Sequence, residues 1–333
     1  MPEITVTGDC DGWRIDRFLR KHLPGMPLSH IFKLFRTGKV RIDGKKAVAN
    51  QRVKETQIVL IHIPDERFKE DAKSDKSENY GRVIAPFELE IIYEDADLIA
   101  INKPAGVPVH PGSGYKGGTC VDRIREYLGA QNRPGEFSPS LVHRIDLDTS
   151  GVLLAAKTYA ALRIVAKAFN MRRVEKYYTA LSVGRLPSKS GVIELPVKRL
   201  DHPERDREEQ EGVTEYRVIQ EKRIDCGTMK SVPFSLLELR LHTGRTHQIR
   251  SHLKDIDAPV VGDHLYGDAT VNAVVRDATG LRRQFLHSAR LVLSHPTSGE
   301  TLKLEAPLPE DLKAVIRWAG MMQSAVEIKA TKD

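Results

Sequence analysis

Near the start of the chain, Ile15, Phe18 and Leu19 recur at helical spacing, with Arg14, Arg17, Arg20 and Lys21 spread around them. The pattern predicts a short amphipathic helix. Ser29 can cap a second helix, in which Ile31, Leu34 and Phe35 face inward, Lys33 and Arg36 face elsewhere, and Gly38 ends the run. Alternation then replaces the helical period. Val40-Arg41-Ile42, Asp43-Gly44 and the residues beyond predict a hairpin with a two-residue turn, and residues 57 to 63 predict a further strand. DERFKEDAKSDKSENYGR, residues 65 to 82, is dominated by charge and has no β-branched residue, which is linker composition. Apolar runs return near Ile84, where EIIYEDADLIAINKPAGVPVHPG reads as strand, turn, strand and a Gly/Pro-rich loop. Leu141-Val142 and Val152 to Ala156 read as short buried strands. Residues 201 to 212 read as a charged surface loop, and no internal repeat is found. These shifts divide the chain into a domain over 1–64, a linker over 65–82, a second domain over 83–320 and a flexible tail over 321–333.

Composition sharpens this picture in one respect. The net charge is +7, and residues 1–64 hold 12 Lys/Arg against 6 Asp/Glu, leaving 40 against 39 for the remainder. A small basic domain beside a near-neutral one points to a nucleic-acid handle joined to a body with another task. The 333 residues, 40% of them hydrophobic, suffice for two or more cores. No apolar run approaches a membrane span, and MPEITVTGDCDGW has neither a basic nor an apolar leader segment, so a cytoplasmic protein without a membrane partner is expected. Cys10, Cys120 and Cys226 are few, odd in number and far apart, which fits reduced thiols rather than a disulfide framework or zinc site. No structural metal is expected.

The stretch LVHRIDLDTSGVLLAAK, residues 141 to 157, concentrates the candidate chemistry. Asp146, Asp148, Ser150 and Gly151 match the opening of a calcium loop, but the twelfth position, which should supply a bidentate carboxylate, is Lys157. The flanking runs are strands and not helices, so the motif sits on a strand-turn-strand corner. Within it, Asp148 is the natural Asx-turn residue.

Four segments, INKPAGVPVHP (101–111), HRIDLDTSG (143–151), EKYYTALSVG (175–184) and HTGRTHQIRSHL (242–253), are followed by GDHLYG and FLHSARL. Their order and spacing over residues 84–312 resemble the RluA family of pseudouridine synthases. WRIDRFLRKHLP and LSHIFKLFRTGKVRIDGKKAVANQRV, over residues 12–63, resemble an S4 RNA-binding domain. The combination is most similar to the RluC-like members that modify large-subunit ribosomal RNA. The resemblance implies an α+β architecture: a small S4-like domain, then a catalytic domain on a mixed, mostly antiparallel sheet with flanking helices. It implies an enzyme that isomerises uridine to pseudouridine in RNA, needs no cofactor and acts as a monomer without a protein partner. Asp146 would be the catalytic carboxylate. Arg245 would pair with it, and Tyr178 would stack on the extruded base and remove the C5 proton. Arg144 would fill the gap left by the flipped nucleotide, Lys103 and Pro104 would support the floor of the site, and Lys33, Arg36, Lys39 and Arg41 would meet RNA phosphates.

The chemistry asks for few parts. The C1′–N1 bond breaks, the base rotates and C5 joins C1′, with no net redox change and no group supplied from outside. A carboxylate can split that step in two, and a guanidinium beside it favours its ionised form. Tyr177 competes with Tyr178 for the aromatic role. His247 and His252 are five apart and do not form a zinc-protease pair, and Arg250 and Lys254 stand open between solvated and functional cations. A non-catalytic RNA-binding or ribosome-assembly factor with a synthase-like body is the alternative, and a metal-dependent nuclease lacks its carboxylate cluster. Removing residues 1–64 is predicted to weaken RNA binding and flatten its salt dependence, because fewer counterions are released. An unchanged slope of affinity against salt in the truncated protein would refute the handle.

Overall fold

The computed structural model describes residues 2–23, 26, 28–66, 68, 82–84, 86–111, 115–129, 137–197 and 211–322. Most of the expected linker, most of the loop over 201–212 and nearly all of the expected tail lie outside the described residues. The chain divides into two compact units, Met1–Arg82 with Gly112–Lys116, and Val83–Pro111 with Gly117–Asp333.

In the first unit, β1 (Glu3–Thr5), β2 (Val40–Ile42), β3 (Lys45–Lys46) and β4 (Ile58–Ile61) form a sheet in the order β1-β4-β2-β3. The helices α1 (Ile15–His22) and α2 (Leu28–Arg36) contribute Ile15, Phe18, Leu19 and Ile31 to a core shared with Val40 and Val59. Helix α2 begins one residue before Ser29, which therefore lies inside its first turn and not at the cap. The predicted hairpin is present. Asp43 and Gly44 both have left-handed φ, 46° and 78°, as a two-residue turn between twisted strands requires. The Asp43 carboxylate holds the turn by accepting hydrogen bonds from the Ile58 amide and the Gln57 side chain, both at 2.9 Å. Lys33, Arg36, Lys39 and Arg41 are all exposed.

The second unit is built on one sheet. Its strands are β5 (Ile91–Glu94), β6 (Leu98–Lys103), β7 (Ser140–Leu141), β8 (Ser150–Ala156), β9 (Glu175–Val183), β10 (Ser190–Pro196), β11 (Glu211–Cys226), β12 (Met229–Leu241), β13 (Leu286–Ser294) and β14 (Thr301–Glu305). The order runs β10-β11-β12-β9-β13-β8-β6-β5, with β14 on β13 and β7 on β8. All pairings in this sheet are antiparallel except β8 with β13, which are parallel. The sheet is mixed and mostly antiparallel, and the flanking helices are α3 (Cys120–Tyr127), α4 (Tyr159–Asn170), α5 (Gln248–Asp255), α6 (Ala269–Thr279) and α7 (Glu310–Trp318).

Both faces of the sheet are covered at its central strand, which explains why β8 reads SGVLLAA with every residue enclosed. Alternation sorts the side chains. Leu153 and Ala155 join Tyr178, Ala180 and Leu239 on one face, while Val152, Leu154 and Ala156 pack with Val165 and Leu291 on the other. The Thr158 hydroxyl caps α4 by accepting from the Ala161 amide, and Asp268 caps α6, which Gly280 ends at φ 80°.

The parallel pairing constrains one glycine. Gly151 has φ 114°, and a Cβ there would lie 2.2 Å from the Ser288 carbonyl oxygen, a distance no neighbour can relieve without moving backbone. Gly299 also has positive φ, 76°, but opens on empty space. Gly151→Ala is therefore predicted to lower unfolding stability by more than about 3 kcal/mol, and Gly299→Ala by about 1–2 kcal/mol. Equal denaturation midpoints for the two variants would contradict the close approach.

Candidate active site

The strand-turn-strand corner between β7 and β8 projects Asp146 into a cavity of about 390 Å³. This turn is tied down from several sides. The Lys103 ammonium, fully buried, donates to the carbonyls of Pro104, Val107 and Leu147, each at 2.8 Å. The Gly106 amide donates to the same Leu147 carbonyl at 3.0 Å. Arg283 donates to the Asp148 carbonyl at 3.1 Å, while the Asp148 carboxylate takes no hydrogen bond among the described residues. The expected Asx-turn at Asp148 is thus not formed; the turn is closed through backbone, Thr149 N–H to the Asp146 carbonyl at 3.1 Å.

His143 anchors the other end. Its Nε2 accepts from the Leu154 amide at 3.1 Å, and its ring stacks on Phe169 with centroids 5.1 Å apart. Burial, and secondarily Lys176, pushes its pKa down to about 3, so the imidazole is neutral with its proton on Nδ1. Lys103 also feels its surroundings: burial lowers its pKa to about 8.

The cation on Asp146 is Arg250 and not Arg245. Arg250 Nη1 donates to Asp146 Oδ2 at 3.3 Å, whereas Arg245 lines the same cavity and uses its backbone N–H to donate to Gln248 Oε1 at 3.0 Å. The reason is local geometry. Thr243-Gly244-Arg245 forms the turn before α5, and Arg250 lies in the helix, buried to 4% exposure, where Asp263 grips its guanidinium. Asp263 Oδ2 accepts from Nε at 2.5 Å and Oδ1 from Nη2 at 2.9 Å. The Tyr266 ring lies 5.0 Å from the guanidinium carbon. His247 caps α5 in a left-handed conformation, φ 59°, with Nδ1 3.2 Å from the Tyr266 hydroxyl and Nε2 4.0 Å from Asp146 Oδ2.

Tyr178 lines the cavity from β9, buried to 8% exposure. Burial raises its pKa above the ordinary phenol value, a hydrogen bond with Ser288 working against this, so the hydroxyl is neutral at physiological pH. Tyr177 points to the opposite face, donates to Glu175 at 2.8 Å and lies between Arg240 and Arg290. A register irregularity against β13 falls between these two tyrosines. Arg144, Arg172, Lys176, Arg245 and Arg250 give the cavity five cations against one carboxylate, Asp146. Burial, then Arg172, lowers the Lys176 pKa to about 8, and its ammonium donates to the Thr243 carbonyl at 3.1 Å. A carboxylate, an aromatic face and a basic mouth suit a base carried on a polyanion.

Asp146, Tyr178, Arg144 and Arg245 are thus brought into one cavity, while Lys33, Arg36, Lys39 and Arg41 belong to the other compact unit. Sequence reasoning missed the roles of Arg250, Asp263, His247 and Lys176. The usable signal was the apolar spacing of Ile249 and Leu253, which turns Arg250 toward the interior, with Asp263 thirteen residues later as its partner.

The model of the RNA pseudouridylate synthase family matches residues 97–255. Ribosomal large subunit pseudouridine synthase C of Escherichia coli is 36% identical, covering 94% of this chain and 95% of that protein. An uncharacterized RNA pseudouridine synthase of Aquifex aeolicus is 33% identical over 95% of this chain and 96% of its own length. Among solved structures, human RNA Pseudouridylate Synthase Domain Containing 4 aligns with a TM-score of 0.55 at 27% identity, covering 70% of this chain and 94% of that one. The chain belongs to the RNA pseudouridylate synthase family. It is an isomerase of the RluA type, as its motifs suggested.

Arg250→Gln would leave Asp263 buried without its cation and is predicted to cost about 3–5 kcal/mol of stability, against less than about 0.5 kcal/mol for Arg245→Gln. Urea denaturation of both variants checks this, and small equal losses would show that the pairing does not hold in solution.

Proposed function

We propose that this chain converts specific uridines of large-subunit ribosomal RNA to pseudouridine, with Asp146 as the catalytic carboxylate. The observation that carries the reading is a fixed carboxylate, held by a buried guanidinium and faced by a buried tyrosine, in a basic cavity. Long relatives named as large-subunit synthases support the substrate class. The target base would leave its stack and enter the cavity, lying on the Tyr178 ring. Arg144, exposed at the rim, would take the space that the base vacates. Asp146 would act as nucleophile while the C1′–N1 bond breaks, and Arg250 would hold it in place through Nη1. Because Tyr178 is neutral, it can take the C5 proton only by passing its own on; the base gains a proton at N1 as it loses one at C5, so the exchange closes on the substrate, while Ser288 would hold the phenol in place. Arg245 would then serve the RNA at the mouth of the cavity.

The N-terminal unit would be an S4-type handle that presents Lys33, Arg36, Lys39 and Arg41 to phosphates, and the whole would act as a cytoplasmic monomer. Among the described residues no helix is long and apolar enough to cross a membrane.

Tritium release from C5-labelled ribosomal RNA tests the reading. Asp146→Asn should abolish release and preserve RNA binding, and Asp148→Asn should be far milder. Tyr178→Phe should bind RNA normally and stall before release, while Tyr178→Ala should lose a further 1–3 kcal/mol, roughly, of binding. Full turnover by Asp146→Asn would sink the assignment. Carbodiimide mapping of large-subunit RNA from a deletion strain should reveal missing pseudouridines, and an unaltered map would exclude that substrate.

A further inference from the structure

Arg250 shares its guanidinium unequally between two carboxylates. Asp263, fully buried, takes Nε at 2.5 Å and Nη2 at 2.9 Å, whereas Asp146 receives one bond from Nη1 at 3.3 Å. An unrestrained arginine tends to meet a single carboxylate with two parallel bonds. Here the side-on edge of the fork is held by Asp263, and in that orientation Asp146 meets the guanidinium through Nη1 alone.

Asp263 is itself fixed before Arg250 is considered. Its Oδ1 accepts from the amides of Leu265 and Tyr266 at 2.9 and 3.0 Å, and its carbonyl accepts from Gly267 N and Asn272 Nδ2 at 3.0 and 2.8 Å. Asn272 Oδ1 in turn accepts from the Gly262 amide at 2.6 Å. Gly262 turns at φ 78°, where a Cβ would meet the Arg283 carbonyl at 2.1 Å. Burial works against the Asp263 charge, but the guanidinium and the two amides outweigh it and hold its pKa below the ordinary carboxylate value. The Tyr266 ring bounds the guanidinium on one side, leaving it little freedom to rotate.

We propose that Asp263 is a positioning residue for the isomerisation: by claiming the side-on edge of Arg250, it limits the catalytic Asp146 to one cationic contact and leaves its second oxygen clear to attack. The inference rests on Asp146 being the nucleophile. It also assigns a sign to the electrostatics. Asp263 neutralises part of the Arg250 charge, so that Asp146 is not bound so tightly that its nucleophilicity is spent on the guanidinium.

Asp263→Asn puts an amide where the second carboxylate stood and frees Arg250 to turn both nitrogens to Asp146. Single-turnover kcat should fall roughly 10- to 100-fold with KM for RNA little changed. In an Arg250→Gln background the same change should have no further effect, since Asp263 acts only through Arg250. Equal loss in both backgrounds, or a loss that appears in KM with kcat unchanged, would overturn the proposal. Should Asp263→Asn alone fail to fold, the double variant, which pairs two neutral amides, decides the matter against Arg250→Gln: equal rates uphold the coupling and a lower rate overturns it. Asp146→Asn measured alongside separates the two readings, because turnover in that variant defeats the nucleophile assignment whatever Asp263 does.

Discussion

One buried ammonium governs the geometry of the site. Lys103 has no exposed surface and spends its three N–H donors on three carbonyls, one of which, Leu147, follows Asp146 directly in the chain. Removing a charge from water is costly, and the depressed Lys103 pKa records that cost. The return is rigidity in a turn whose carbonyls would otherwise lie unsatisfied near a sheet. Gly106 shares the Leu147 carbonyl, and His143 and Arg283 fasten the same turn at other points, but among the described residues only Lys103 joins it to the loop after β6 through a charge. The carboxylate is thereby placed by backbone anchors, and one of its oxygens meets Arg250.

The sheet supplies the second requirement, which is selectivity between neighbouring side chains. Tyr177 and Tyr178 are chemically identical and adjacent, yet strand alternation sends one toward Arg240 and Arg290 and the other into the cavity. Their phenols are both made harder to ionise by burial, but by different neighbours: Glu175 adds to the effect at Tyr177, while Ser288 opposes it at Tyr178. The cations at the cavity mouth stand apart from this arrangement. In the proposed reaction they would attract the polyanion from outside, whereas the fixed groups within would act on the base.

Much of this was legible in the sequence for identifiable reasons. The hairpin at Asp43-Gly44 announced itself because its turn demands left-handed backbone, and the strands around Asp146 did so through their unbroken apolar run. Asp146 and Tyr178 were chosen through motif register, and the fold brings both to one cavity. Arg250 was not, because a buried arginine differs from a solvated one only by its partner, and Asp263 is brought to it by a turn that local pattern does not reveal. The resemblance had implied Arg245 as the partner of Asp146; helix α5 directs Arg250 inward to that carboxylate instead. The Asx-turn at Asp148 failed for a similar reason, since a distant guanidinium and the backbone already closed that corner.

The parallel contact between β8 and β13 has a consequence for the order in which the molecule is made. Ser150 Oγ and His287 Nδ1 meet at 2.9 Å across 137 residues of chain, and Gly151 fits only against the backbone of Ser288. During synthesis the HRID segment therefore leaves the ribosome long before the strand that completes its seat. Closing so long a loop is entropically slow and must await the emergence of β13. A nascent chain thus carries Asp146 on an unfinished support until that strand arrives, a built-in delay for an enzyme proposed to act on the RNA of ribosomes themselves.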